Sequence, residues 1–310
     1  MNEKTVLKDC AGLNSFIDPV VTSLDGANGP AVSYLAKAVN VVISDSNKVE
    51  VVPGHTTLLS LTNGHSLFCD GGACLVCQGG SLYEVASNLS LSAAKRTGMS
   101  GNQIDYAQYG SSVLFGNRTE HGVYYQSTAL SWDVDTYTGP PTDRVFESSV
   151  PFFDHIATFN GFVIGAIDNA LFASELGKPG LWCMEPIWMS DTRIQMIAPV
   201  LGTAEQGGVF CSDQKRTYFL AGLNPPELVE QKQSGSPAIE WTLAHESIDL
   251  STFSEFKGLG RVWRSTKGLS IGMPSGQIFD CTQKVIKQPT GYISGATAII
   301  GTNIISTTRN

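Results

Sequence analysis

This sequence predicts an all-β chain, closed as a β-propeller of about six blades, with five to seven allowed. Three observations carry the expectation. Hairpin-like segments recur at regular intervals, the composition favours tight turns over charge, and helical periodicity is almost absent. Of 310 residues, 42% are hydrophobic and 32 are Gly, while 15% are charged, against roughly 25% in typical soluble domains. Such a chain can bury a sizeable core, as two average domains or one large β domain.

Residues 1–37 form the first element, read as an extended arm because Asp18-Pro19, Gly26 and Gly29-Pro30 punctuate it, with at most a short helix at Ala31 to Ala38. The remaining residues, 38–310, form the propeller. It opens with a hairpin, Asn40 to Gly54, turning at Asp45 to Lys48. A repeated unit follows: an apolar strand, a small residue or Cys, a short polar turn and a second strand bearing an aromatic. Its copies are Leu75 to Val85, Val113 to Ser127, Phe162 to Ser174, Gly207 to Gly222 and Gly268 to Cys281. Gly79-Gly80, Asp168-Asn169 and Ser275-Gly276 supply turn residues that tolerate positive φ.

The aromatics Tyr83, Tyr124, Phe172, Tyr218 and Phe279 are spaced by 41, 48, 46 and 61 residues, close to the roughly 40–50 residues of a propeller blade. The widest interval leaves room for an insertion. Continuous apolar runs such as Phe162-Val163-Ile164 suit strands covered on both faces, as stacked blades require. A β-sandwich with irregular hairpins is the alternative, but it gives no reason for an aromatic after each turn. The last segment, Thr290 to Asn310, supplies a final strand, and the ring is expected to close by pairing of terminal strands.

A net charge of −8 without any run of Lys or Arg disfavours nucleic acid and anionic membrane surfaces. The densest basic stretch, Arg261, Arg264 and Lys267, reads as a solvated strand face. MNEKTVLKDC shows no apolar signal region, and the apolar tract from Tyr292 to Ile305 is too interrupted to cross a bilayer. Seven cysteines without framework spacing read as reduced thiols of a cytoplasmically made protein.

His65, Cys69, Cys74 and Cys77 offer metal-ligand types, including one CxxC. Along a strand, however, Cys74 and Cys77 point to opposite faces, so structural thiols are the favoured reading and no metal or other cofactor is assigned. No GxSxG elbow accompanies the histidines His55, His65, His121, His155 and His245, each read as a turn or surface residue. Asp105, Asp133, Asp135, Asp154 and Asp168 all sit in turn-like settings, and nothing selects a catalytic pair among them. The expectation is accordingly a chain that is not an enzyme. Trp132, Tyr137, Trp182 and Trp188 are the aromatics able to stack on sugars. Trp182 and Trp188 follow the loop signal Gly177-Lys178-Pro179-Gly180 and are the candidate ligand-facing pair, with packing between blades as their structural role.

The order of motifs, from Asn40–Gly54 through His65–Tyr83 and Leu171–Trp182 to Gly207–Pro225, resembles propeller proteins of tailed bacteriophages, in tail hubs, nozzles or baseplates. Such relatives often carry a basic strand before the Pro-Gly turn; here Val49-Glu50-Val51-Val52 stands there instead. The resemblance implies a structural virion protein, assembled in the host cytoplasm and held in the phage tail. Its implied partners are other tail or baseplate proteins, copies of itself in a symmetric complex and a host surface receptor. A receptor- or glycan-binding module is the alternative, and a glycosidase a more distant one.

Overall fold

The computed structural model describes residues 59–70, 72–139, 144–202, 206–250, 258–281, 294–300 and 303–309, with short strands at 10–13, 23–24, 32–35, 41–43 and 49–51. Five small antiparallel sheets stand in a ring, a five-bladed β-propeller. Blade I comprises Gly64–Asp70, Ala73–Gln78 and Ser81–Glu84. Asp105–Tyr109, Ser112–Gly116, His121–Tyr125 and Thr128–Leu130 make blade II. Blade III contains His155–Phe159, Phe162–Ile167, Ala170–Glu175 and Lys178–Trp182, with Trp188–Met189 added to its third strand. In blade IV, Ile194–Leu201, Gly207–Asp213, Thr217–Ala221 and Val229–Gly235 follow in order. Blade V has Ile248–Asp249, Leu259–Ser265, Gly268–Gly272 and Ile278–Asp280.

Tyr83, Tyr124, Phe172 and Tyr218 lie on the third strand of their blades, whereas Phe279 lies on the fourth strand of blade V and is 51% exposed rather than part of the core. The five repeat hairpins all pair antiparallel, and Gly79, Asp168 and Gly276 take positive φ at their turns. The sixth hairpin, Val41–Ile43 with Val49–Val51, forms a separate two-stranded sheet, which is why the ring has five blades and not six. Within the stretch read as an extended arm with at most a short helix at Ala31 to Ala38, Val32–Leu35 is a strand, pairing with Cys10–Leu13 and Ser23–Leu24. Its β-branched and aromatic residues favour extended backbone.

The core lies between blades. Phe68, Leu75 and Phe115 join blades I and II; Leu114, Phe153, Val163 and Trp182 join II and III; Phe159, Ile164 and Val209 join III and IV; Phe210, Phe219 and Trp263 join IV and V. Val163 and Ile164 thus face different clusters, the two-sided burial anticipated for that run. Close stacking also selects Gly165, where a Cβ would stand 2.4 Å from the Phe153 ring.

Ring closure differs from the expected strand exchange. Among the described residues the terminal strands share no sheet, because Ser294–Ile300 and Asn303–Arg309 pair with each other. Blades V and I meet through side chains, Phe68 lying edge-on to His245 at 5.0 Å. Among the described residues each blade is drawn from one contiguous stretch of chain, and blade I has three strands.

Candidate functional site

The innermost segments of all five blades line a central channel. A cavity of about 220 Å3 is bounded by Phe68, Asp105, Ala157, Val200, His245 and Arg261 among others, and a second of about 240 Å3 by Ser66, His155, Gln195 and Trp241. Both share Asp105, Ile197, Leu243 and His245, which form the waist between them. The C-terminal hairpin lies over the second chamber, contributing Gly295 to Ala298, and the Gly295 amide donates to the Glu240 carbonyl at 3.1 Å.

A charge network occupies this mouth. His155, 3% exposed, directs Nδ1 to Asp105 Oδ2 at 3.3 Å, while its Nε2 stands 3.4 Å from Glu240 Oε1, a charge contact outside hydrogen-bond geometry. Arg193 bridges Glu240 at 2.8 Å and Asp154 at 3.4 Å. Arg118 binds Asp154 through Nε at 2.7 Å and reaches Asp168 with Nη2. Burial opposes charge on His155, but the carboxylates of Asp105 and Glu240 outweigh it and lift its pKa to about 9. Glu240 is held below its usual range despite burial, by His155 and Arg193. At neutral pH His155 is therefore a buried cation, unsuited to act as a general base.

Beside the network lies a cavity of about 250 Å3 lined by Asn102, Gln103, Asn117, Arg118, Asp154, Arg193, Glu240 and Trp241. Trp241 belongs to both this cavity and the channel chamber, and its ring sits 4.7 Å from that of His155. Its φ of 65° places a bulky residue in the left-handed region, a strain that surrounding structure must enforce. The site thus combines amide donors and acceptors, paired charges of both signs and one aromatic face.

The residues singled out from sequence are distributed differently. Trp182 is fully buried, its indole donating to the Pro179 carbonyl at 2.8 Å and packing on Phe153 at 4.4 Å. Its place is between blades, closed to a ligand. Trp188 is half-buried, donates to Glu230 at 2.8 Å and packs edge-on to Tyr218 at 4.9 Å. Neither reaches the channel. Trp132 is buried, and Tyr137 stacks on Phe146.

Two histidines read as turn or surface residues, His155 and His245, face the channel instead. Arg261, read as part of a solvated face, turns inward and donates to the His245 carbonyl at 2.7 Å. Three of the five aspartates, Asp105, Asp154 and Asp168, converge on the mouth, whereas Asp135 accepts from the Gly180 amide. Asp105 opens a strand and Asp154 immediately precedes one, so a shared position at the start of innermost strands was the available signal. Nothing local in the sequence marked Glu240 or Trp241.

Cys69 and Cys74 face each other across paired strands, their Cα atoms 4.0 Å apart, and form a disulfide, correcting the expectation of reduced thiols throughout. Cross-strand register brings together two residues separated by a tight turn. Cys77 lies on the opposite face, 3.6 Å from the Tyr106 hydroxyl, with burial pushing its thiol up to about 11. Among the described residues no group of three or more His, Cys, Asp or Glu side chains is arranged to hold a metal ion.

No protein-family model and no curated protein matches this chain. Solved structures resemble it. An auxiliary nutrient binding protein from Bacteroides thetaiotaomicron is 8% identical with a TM-score of 0.49, over 78% of this chain and 65% of that one. This chain therefore spans just under two thirds of that protein's length. A gluconolactonase from Xanthomonas campestris is 9% identical with a TM-score of 0.44, over 80% and 84% of the two chains. Regucalcin, a calcium-binding protein from Agrobacterium tumefaciens, is 10% identical with a TM-score of 0.39, over 78% and 79%. The expectation that the chain is not an enzyme rested on missing motifs and is withdrawn, a gluconolactonase standing among the similar structures. At such identities and TM-scores the likeness assigns no role, and the β-propeller rests on the ring of five sheets itself.

Proposed function

We propose that this chain is a binding propeller of a tailed-bacteriophage tail, a rigid block that assembles with neighbouring tail subunits and presents the Trp241 mouth to a polyhydroxylated ligand, a surface glycan. The strained, half-buried Trp241 beside a donor-and-acceptor-rich cavity is the observation that carries the ligand class. A sugar offers an apolar ring face and hydroxyls that both donate and accept. An indole matches the first, and Asn102, Asn117, Asp154 and Arg193 match the second. The ordered short motifs between Asn40 and Pro225 support the phage-tail setting.

A glycan array probed with the full chain and with Trp241→Gly tests the ligand. Glycine adopts positive φ without strain, so the variant keeps its fold while losing at least tenfold in binding. A glycan bound equally by both proteins refutes the assignment of the mouth. Chemical analysis of the bound glycan reads turnover in the same samples. Mass spectrometry and cryo-electron microscopy of purified particles test the tail setting, with stoichiometric copies in a symmetric complex expected and absence from the particle refuting it.

A further inference from the structure

Across the waist from Trp241, the channel chamber of about 220 Å3 holds a cation without a close counter-charge. Arg261, on the strand Leu259–Ser265, is half-buried and lines this chamber. Its Nη1 donates to the His245 carbonyl at 2.7 Å and to Ser247 Oγ at 3.3 Å, whereas its Nε is enclosed without a hydrogen-bond partner. Among the described residues no carboxylate forms an ion pair with it. Asp105 and Asp70 line the same chamber, but Asp105 is engaged by His155 and by the Ile156 amide, and Asp70 is exposed to solvent. Burial pulls the pKa of Arg261 down to about 10 and lowers that of His245. At neutral pH Arg261 is therefore a cation beside an uncharged imidazole. An enclosed guanidinium with an idle donor is costly unless an anion meets it, and its planar fork matches a carboxylate.

The remainder of the chamber favours hydrocarbon. Ile156, Phe159, Ile197 and Val200 are among its lining residues, together with Leu201 and Leu259, which are 44% and 50% exposed. These two leucines lie on adjoining segments, since a Cβ on Gly258 would stand 3.4 Å from the Gly202 Cα. The volume lies below the roughly 300–1,000 Å3 of drug-sized pockets, which limits the occupant to a small molecule. Arg261 is the one Lys or Arg among the described lining residues, whereas a multiply charged phosphate calls for more than one cation. We propose that this chamber binds a small carboxylate with an apolar body, its carboxylate on the Arg261 fork and its hydrocarbon against the apolar walls and the rim at Leu201 and Leu259. The site does not depend on the glycan assigned to the Trp241 mouth.

Isothermal titration calorimetry of the full chain with hexanoate, hexanamide, acetate and inorganic phosphate tests this. Hexanoate binds. Hexanamide, with the same body and no charge, and acetate, with the same charge and almost no body, each bind more weakly by about tenfold or more. Arg261→Gln weakens hexanoate binding by about tenfold or more, and Arg261→Lys, which keeps the charge and loses the fork, falls between. Because Arg261 also fastens the segment at His245 and Ser247, Leu201→Glu provides a second variant at an exposed position. It repels the carboxylate, weakening hexanoate while leaving hexanamide unchanged. Equal affinity for hexanoate and hexanamide overturns the proposal, as does hexanoate binding unaffected by Arg261→Gln or by Leu201→Glu. Tighter binding of phosphate than of hexanoate, or no heat from hexanoate at millimolar concentration, also overturns it.

Discussion

The buried cation at the channel mouth makes stability depend on alkaline pH. The folded-state pKa of His155 rises from 6.5 to about 9, so between these values the folded chain holds a proton that the unfolded chain has released. Stability from this group is fully present below 6.5 and is lost as pH climbs through about 9. One extra bound proton gives a slope of about −1.4 kcal/mol per pH unit, and the whole interval amounts to about 3 kcal/mol. Glu240 acts oppositely: its lowered pKa contributes stability that is present above 4.5 and lost as pH falls through its folded value. These two groups together favour pH 4.5 to 6.5, while His121 and His245, whose pKa values burial lowers, contribute stability that is lost as pH falls below 6.5. Urea unfolding from pH 6 to pH 10, for the unmodified protein and for His155→Gln, measures the term after subtraction of other alkaline titrations. The variant is weaker at pH 6, because Asp105 and Glu240 lose their shared cation, and its slope from pH 7 to pH 9 is flatter. Parallel slopes in the two proteins would refute the argument.

Other expectations follow from packing and covalent structure. Trp182→Ala empties a fully enclosed site between blades II and III, and denaturant unfolding should record a loss of about 3–5 kcal/mol. Gly165→Ala drives a Cβ into the Phe153 ring, costing about 1–3 kcal/mol in the same assay, and an unchanged midpoint would contradict the close stacking. Thiol titration of the denatured protein should find two fewer reactive groups without reductant than with it, because Cys69 and Cys74 are bridged. Opening that short loop by Cys69→Ser with Cys74→Ser should lower stability by about 2 kcal/mol.

The repeat period, the placement of turns and the all-β class were legible in the chain itself. Each depends on neighbours in sequence: a positive-φ residue at Asp168 or Gly276, alternation within a strand, an aromatic a fixed distance after a turn. Blade number was legible only as a range, since the hairpin at Val41–Val51 has the same local pattern as a blade hairpin but forms a sheet of its own. Trp182 and Trp188 stood out because of a loop signal, yet packing decides whether an indole meets solvent, and Trp182 meets Phe153. Cys69 and Cys74 revealed their partnership only once register set them opposite each other.

The channel mouth is the clearest case of what tertiary structure alone decided. Asp105, His155, Arg193 and Glu240 come from blades II, III and IV and the segment entering blade V, separated by 50, 38 and 47 residues along the chain. Local propensity acts over a few residues, whereas the proton affinity of His155 is set by charges within 3.4 Å that only the closing of the ring brings together. The chain determines which strands form and where they turn; stacking those strands around an axis determines which side chains share a site.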